Sequence, residues 1–136
     1  MVALVSQPDR PSGRGQHIHP TATKQVAVEA ARSAGAKVIV AYTESGYTAR
    51  LVAAFRPPMP ILGLTPSERA VHQLALVWGV EAHRVARVRS TDAVMSRARA
   101  EVRRRGLASP GDRMAIVAGV PLNEPGNTNL LTVQPV

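Results

Sequence analysis

The sequence predicts an α/β protein in which helices cover both faces of an open, mostly parallel sheet. The first observation is a set of short apolar runs, such as KVIVAY (37–42), without the alternation of a half-exposed strand. The second is the helical spacing of apolar residues between these runs. The third is that strands and helices alternate, which requires crossover connections and a three-layer α/β/α sandwich.

Length and composition indicate one globular domain. The chain has 136 residues, of which 45% are hydrophobic, and it lacks cysteine, which excludes disulfides and thiolate metal sites. Residues 1–20 are rich in proline, glycine and charge and predict a flexible leader, so the domain is assigned to residues 21–136. No apolar run reaches the roughly 20 residues that span a bilayer. We therefore expect a cytoplasmic protein without membrane contact.

The first half of the domain predicts two helices around the strand 37–42. The pattern becomes regular at Thr21, and TKQVAVEAARSAG (23–35) fits a helix that ends at Gly35, since glycine commonly follows the last helical turn. Ser45 is the predicted N-cap of the second helix, which Pro57 and Pro58 terminate. Its apolar face repeats every fourth residue and consists of Tyr47, Leu51 and Phe55.

A strand at 60–64, a helix and a strand at 80–86 follow. Residues 65–68, TPSE, have the pattern of a capping box with proline at the first helical position. Gly79 ends this helix, whose predicted apolar stripe consists of Val71, Leu74, Ala75 and Trp78.

The last part of the domain predicts one long helix and two strands. The helix begins at Ser90 or Thr91 and runs through Arg105. Its inward-facing residues are Val94, Ala98 and Val102. The strands are 113–119 and 130–134, separated by a long loop.

The net charge of +8 comes from 17 basic residues against 9 acidic ones, and eight arginines lie between Arg84 and Arg105. One interpretation is polyanion or nucleic-acid binding. The other is a solvated helix face, which we favour because only 3% of the residues are aromatic and no recognition motif accompanies the charge. We therefore do not expect a nucleic-acid partner.

The chain has no recognisable catalytic arrangement. It lacks a nucleophile elbow, a Walker loop and a dinucleotide-binding glycine fingerprint. His17 and His19 have no third ligand nearby, and His72 and His83 fit structural positions. The sequence predicts no catalytic residue, no metal and no cofactor.

Two segments follow predicted strands at the edge where open α/β sheets bind ligands. One is TESGYT (43–48), and the other is VPLNEPGNTN (120–129). Hydroxyls of Thr43 and Thr48 at a helix N-terminus could hold a phosphate, and Gly46 would permit close backbone approach. The alternative is that the turn only caps its helix.

Both ends of the domain carry motifs of one family. In the first stretch, 37–80, the motif residues are Thr43, Ser45, Gly46, Thr48, Ala49, Arg56, Pro57, Pro60, Ile61 and Thr65. In the last stretch, 110–133, they are Gly111, Asp112, Gly119, Pro121, Gly126, Thr128 and Asn129. With these residues the chain resembles the C-terminal domain of pyruvate kinase from about Thr21 to its last residue.

The resemblance implies a five-stranded mixed sheet of order 3-2-1-4-5 with the last strand antiparallel. It also implies a crevice for phosphorylated allosteric effectors beyond strands one and four. Two departures are Tyr47, where many members carry Arg or Lys, and Asn123, where glycine is common. The implied effector residues are Thr43, Ser45, Gly46, Tyr47, Thr48, Gly126, Asn127 and Thr128.

The resemblance implies a non-catalytic regulatory-type module that binds a small phosphorylated metabolite, because the family's catalytic barrel is not in this chain. An alternative is an oligomerisation or partner-docking module with an empty crevice, for example a homo-oligomer. Polyanion binding through the arginine-rich segment is a further alternative. These three hypotheses predict saturable phosphate-ester binding, ligand-independent assembly and strongly salt-dependent binding, respectively.

Overall fold

The computed structural model describes residues 5–6, 20–118 and 130–136. In this part of the chain the strands are β1 (Val5–Ser6), β2 (Val38–Tyr42), β3 (Ile61–Thr65), β4 (Val80–Arg84), β5 (Arg113–Ala118) and β6 (Leu130–Pro135). The helices are α1 (Pro20–Ser33), α2 (Tyr47–Ala54), α3 (Glu68–Leu74) and α4 (Thr91–Arg104).

The strands form one sheet of order β1-β6-β5-β2-β3-β4. Strands β5, β2, β3 and β4 are parallel neighbours, whereas β6 is antiparallel to β5. The predicted five-strand order with an antiparallel last strand is therefore confirmed. The sequence did not predict β1, which lies in the segment 1–20 and pairs with β6. A strand of two residues is too short to show a periodicity.

Helices cover both faces of the sheet, as predicted. Strands β2 and β3 are buried along their whole length. One face carries a core shared with α1, α2 and Leu74 of α3, and the other carries a core shared with α4. The sheet is therefore the middle layer of a three-layer sandwich.

Helix α4 follows its prediction closely. The Ser90 side chain is the N-cap and accepts a hydrogen bond from the backbone N–H of Ala93 at 3.1 Å. Val94, Ala98 and Val102 are buried, so the predicted stripe is confirmed.

The predicted apolar face of α2 is only partly correct, because Phe55 packs against the edge of the core but the deeply buried residues are others. Tyr47, Leu51 and Phe55 are only half-buried. The residues that α2 buries are smaller, and they are Thr48, Ala49, Val52 and Ala53. Small residues let the helix approach the sheet closely, since a Cβ built on Gly63 of β3 would lie 3.8 Å from Cβ of Ala49.

The predicted capping box of α3 is also placed differently. Thr65 is the last residue of β3, and its hydroxyl accepts a hydrogen bond from the Ser67 N–H at 3.1 Å. Ser67 is the N-cap and accepts from the Ala70 N–H at 3.1 Å. Pro66 therefore lies in the connection between strand and helix and not in the first helical turn.

Trp78 does not belong to the buried stripe that the sequence predicted. Helix α3 ends at Leu74, and the Val77 N–H then donates to the Leu74 carbonyl in a turn. Leu74 is fully buried, whereas Leu76 is 90% and Trp78 is 76% exposed. The spacing of Trp78 from Leu74 did not predict burial, because the backbone is no longer helical at Trp78.

The arginine-rich segment encloses a buried carboxylate that the sequence analysis did not single out. The Glu101 side chain is 6% exposed and accepts hydrogen bonds from Arg104 Nη2 at 2.7 Å and Arg105 Nε at 3.1 Å. Burial raises the pKa of Glu101, but the hydrogen bond and charge of Arg104 and the charge of Arg105 outweigh it and lower the pKa. Two arginines of this segment, Arg104 and Arg105, therefore stabilise the carboxylate of Glu101.

Candidate functional site

The turn between β2 and α2 occupies the position that open α/β sheets use for ligands. Strand β2 lies between β3 and β5 in the sheet. From β2 the chain continues to β3 on one side, and from β5 it continues to β6 on the other side. Residues 43–46 leave the carboxyl end of β2 at this switch point. The five predicted site residues of segment 43–48 therefore lie close together at the carboxyl edge of the sheet, where the site was predicted.

Thr43 shapes this turn from a buried position. It is 4% exposed, and its hydroxyl oxygen accepts a hydrogen bond from the Gly46 N–H at 2.8 Å. The Thr43 N–H donates to the Leu64 carbonyl at 2.9 Å, which ties the turn to β3. The hydroxyl hydrogen of Thr43 has no acceptor among the described residues, so it can be donated to a ligand.

Ser45 is not the N-cap that the sequence predicted. The N-cap residue of α2 is Gly46, which makes no side-chain cap bond. The Ser45 hydroxyl accepts from the Tyr47 N–H at 3.4 Å, a long hydrogen bond within the turn. The physical reason is that Gly46 has φ 89°, a left-handed conformation that starts the helix one residue later.

Gly46 is required by backbone conformation and by packing. A Cβ at this position would lie 3.3 Å from Nη1 of Arg50 and 3.4 Å from Cγ of Leu74. The space that a side chain would need is therefore filled by Leu74 and by the guanidinium of Arg50. This contact places a positive charge beside the turn, which itself contains no basic residue.

The remaining predicted site residues divide into two groups. Thr48 is 3% exposed in the first turn of α2, and Tyr47 before it is half-buried. The predicted second wall of the crevice lies outside the described residues, and its members are Gly126, Asn127 and Thr128. His17 and His19 lie outside them as well.

An ion pair connects the turn to the segment after β4. The Glu44 carboxylate accepts a hydrogen bond from Nη1 of Arg87 at 2.8 Å, and the two side chains are 17% and 44% exposed. The negative charge of Glu44 is therefore balanced inside the protein. Sequence reasoning could not find this contact, because 43 residues separate its partners.

Tyr42 provides a second connection between β2 and this segment. The Tyr42 hydroxyl accepts a hydrogen bond from the Val88 N–H at 3.2 Å. Burial raises the pKa of Tyr42, and the nearby Glu44 charge adds to this against the opposing effects of the Val88 hydrogen bond and Arg87. The phenol therefore stays neutral and holds residue 88 against the sheet.

A cavity of about 450 Å³, widely open to solvent, lies beyond the carboxyl ends of β3 and β4. Nε of Arg84, the last residue of β4, donates to the Pro66 carbonyl at 3.3 Å. No motif in the sequence indicates a site at this place. The lining residues are Pro66, Arg84, Val85, Ala86 and Arg87.

A smaller apolar groove of about 180 Å³ lies at the opposite edge, before β3 and β4. The Arg56 guanidinium lies 5.7 Å from the ring centre of Trp78, within the range of a cation–π contact. Arg56 has φ 48°, and it precedes Pro57 and Pro58 at the end of α2. Leu76 is exposed in the turn that carries Trp78.

Across residues 5–6, 20–118 and 130–136, no group of three or more histidine and acidic side chains could hold a metal ion. Within the same ranges, none of the helices is long and apolar enough to cross a membrane.

The fold and the turn after β2 define a three-layer α/β domain with a candidate site at the switch point of its sheet. The family model for the pyruvate kinase alpha/beta domain matches residues 21–134. The chain therefore belongs to the family of this domain.

Individual relatives agree with this assignment. The chain is 42% identical over 114 residues to a pyruvate kinase of Agrobacterium vitis and 40% identical over 107 residues to one of Lactobacillus delbrueckii subsp. bulgaricus. These alignments cover 84% and 79% of this chain but only 24% and 18% of the relatives. The chain therefore spans a quarter or less of the curated relatives that it matches.

A solved structure gives the same result. The structure of Cryptosporidium parvum pyruvate kinase in complex with ADP superposes with a TM-score of 0.77 at 30% sequence identity. The superposition covers 91% of this chain and 25% of the Cryptosporidium parvum chain. The part of pyruvate kinase that this chain matches is the α/β domain without the catalytic barrel.

Proposed function

We propose that the domain is a non-catalytic regulatory-type module that binds a small phosphorylated metabolite beyond β2 and β5. The observation that carries the proposal is the position of the hydroxyl-rich turn 43–48 at the switch point between these strands. The family resemblance adds that phosphorylated effectors bind in the corresponding crevice.

Three features of the turn suit an anion. The Thr43 hydroxyl keeps a hydrogen to donate, the Arg50 guanidinium lies beside Gly46, and Glu44 is neutralised by Arg87. Neutral hydroxyls and one exposed guanidinium should bind modestly. We expect a dissociation constant that is micromolar or weaker, about −8 kcal/mol or less favourable.

Calorimetry of wild type and Thr48→Val against inorganic phosphate, sugar phosphates and nucleotides tests the proposal. Valine keeps the shape of threonine and removes its hydroxyl, so binding should weaken, and a melting curve establishes that the variant is folded. Thr132→Val is the control, because Thr132 is also buried but lies in the middle of β6. Equal binding by Thr48→Val and wild type, or no binding by wild type, would leave the turn with a structural role only.

Self-association is the second candidate, and one observation favours it. Leu76 and Trp78 are 90% and 76% exposed at the amino ends of the strands, and tryptophan is enriched in protein interfaces. If a second copy of the chain covers this surface, sedimentation should detect a dimer that Trp78→Glu converts to monomer. A wild-type monomer at all concentrations would contradict this candidate.

We expect no phosphoryl transfer by this chain alone, because the matched α/β domain contains none of the family's catalytic barrel. An assay with phosphoenolpyruvate and ADP checks this expectation. Turnover proportional to the concentration of pure protein would contradict it. A cytoplasmic location and the absence of nucleic-acid binding remain predictions.

A further inference from the structure

We propose a second anion site, in which a phosphate group binds between Arg84 and Arg87 at the carboxyl ends of β3 and β4. The site goes beyond the function proposed above, because it lies at the ends of β3 and β4, although Glu44 of the turn 43–48 contacts one of its two arginines. Its cavity of about 450 Å³ is large enough for a small phosphorylated molecule.

Arg84 supplies the charge of this site. Its side chain is exposed, and Nε donates to the Pro66 carbonyl at 3.3 Å, which leaves both terminal nitrogens facing away from this bond. The two terminal nitrogens have no hydrogen-bond or ion-pair partner within the described part of the chain. A planar guanidinium with free N–H groups matches two oxygens of one phosphate.

Arg87 is the second positive group, and Glu44 competes with a ligand for it. Nη1 of Arg87 lies 2.8 Å from the Glu44 carboxylate, yet the Arg87 side chain is still 44% exposed. A phosphate can therefore reach Arg87 only by sharing it with Glu44 or by replacing Glu44. This arrangement predicts weak binding in the wild type and stronger binding when the Glu44 charge is removed.

The backbone of the site is held in place before any ligand binds. The Val85 N–H donates to the Thr65 carbonyl at 2.9 Å, and the Val88 N–H donates to the Tyr42 hydroxyl at 3.2 Å. Both ends of segment 85–88 are thus anchored to neighbouring strands. A fixed segment loses little conformational freedom on binding, which favours a built site over a chance surface cluster.

The lining also indicates which part of a ligand is recognised. The cavity is lined by two arginines, a proline and two small aliphatic residues, with no aromatic ring on which a base could stack. We therefore infer recognition of the phosphate group and not of a nucleobase. Inorganic phosphate and pyrophosphate are the appropriate probes.

The test is calorimetry of the full chain with both probes at low ionic strength. Arg84→Gln should weaken binding about tenfold, since it removes the charge-assisted hydrogen bonds that the two terminal nitrogens can donate to a phosphate. Glu44→Gln should strengthen binding several-fold because it frees Arg87. Arg32→Gln and Glu29→Gln are the controls, because they make the same charge changes at exposed positions of α1.

Specific outcomes would overturn the site. Equal effects of Arg84→Gln and Arg32→Gln would mean that the probes respond only to net charge. Loss of binding in Thr48→Val but not in Arg84→Gln would assign the anion to the crevice of the proposed function instead. Melting curves of each variant establish that it is folded, and if Glu44→Gln is not, the comparison of Arg84→Gln with Arg32→Gln decides alone.

Discussion

The carboxyl and amino ends of the sheet both carry arginine, but the arginines are in different states. At the carboxyl end, the terminal nitrogens of Arg84 have no partner among the described residues. Near the amino end, Arg105 donates to the buried carboxylate of Glu101 and also approaches Glu81 of β4 at 3.9 Å. The number of arginines in a segment therefore says little about ligand binding. Whether a guanidinium is available to a ligand depends on the partners that it already has in the protein.

The two ends also differ in what they expose. The carboxyl end buries the polar residues Thr43 and Thr65 and connects them to neighbouring backbone. The amino end exposes Trp78 and Leu76 beside a small apolar groove. A ligand site at one end and a protein-contact surface at the other are the functions that these differences favour.

The largest expected effect comes from Leu74→Ala, which removes the packing beneath the carboxyl-end turn. Leu74 is fully buried, and its side chain would lie 3.4 Å from a Cβ on either Gly46 or Gly63. We expect a loss of about 2–5 kcal/mol in the free energy of unfolding, measured by urea denaturation. Leu76→Ala is the matched control at the amino end and should change stability little, so equal losses would contradict the comparison.

The next largest effect concerns the carboxylate cluster near the amino end. Glu101→Gln should reduce the free energy of unfolding by about 1–3 kcal/mol at neutral pH, because it weakens buried hydrogen bonds from arginine. Glu29→Gln, at an exposed position of α1, should not do so.

Acid pH sharpens this second prediction. The pKa of Glu101 is lowered from 4.5, since the Arg104 hydrogen bond and the Arg104 and Arg105 charges outweigh the opposing effect of burial. A lowered pKa in the folded state stabilises the protein above pH 4.5, and this stabilisation disappears as the pH falls through the folded pKa. The stability difference between wild type and Glu101→Gln should therefore shrink below pH 4.5, and a constant difference would contradict the assignment.

The sequence predicted what depends on long regular patterns. In α4, the residues at positions 94, 98 and 102 keep one spacing over a helix of 14 residues, so the buried face was correct. Trp78 continues the spacing of α3 in the same way, but the backbone stops being helical at Leu74. Periodicity cannot detect the end of a helix when apolar residues continue beyond it.

The candidate site was predicted only where it is local in sequence. Residues 43–48 are neighbours in the chain, so their common position followed from the end of a strand. The prediction that the Ser45 hydroxyl caps α2 was wrong, because the start of the helix depends on the φ angle of Gly46. The contact between Glu44 and Arg87 was not predicted at all, since three strands of the sheet bring these distant residues together.

Glycines at the two ends of the sheet offer a smaller but more direct comparison. Gly46 has φ 89° and Gly79 has φ 85°, so alanine carries a similar backbone cost at both, about 1–2 kcal/mol. A Cβ on Gly46 would also lie 3.3 Å from Nη1 of Arg50 and 3.4 Å from Cγ of Leu74, whereas nothing lies within 4 Å of one on Gly79. Gly46→Ala should therefore lower the melting temperature more than Gly79→Ala, and the reverse order would show that packing at the turn is loose.

The smallest expected effect on stability is that of Trp78→Ala. A tryptophan is usually among the most costly residues to truncate, but 76% of this one is exposed. The change removes the contact with the Arg56 guanidinium at 5.7 Å, which is worth about 0.5–1 kcal/mol at an exposed site. Urea denaturation at low protein concentration, followed by circular dichroism, should therefore give a loss of no more than about 1 kcal/mol. A loss as large as that of Leu74→Ala would mean that Trp78 packs in the core of the monomer, and the amino end would then no longer be a surface available to a second copy.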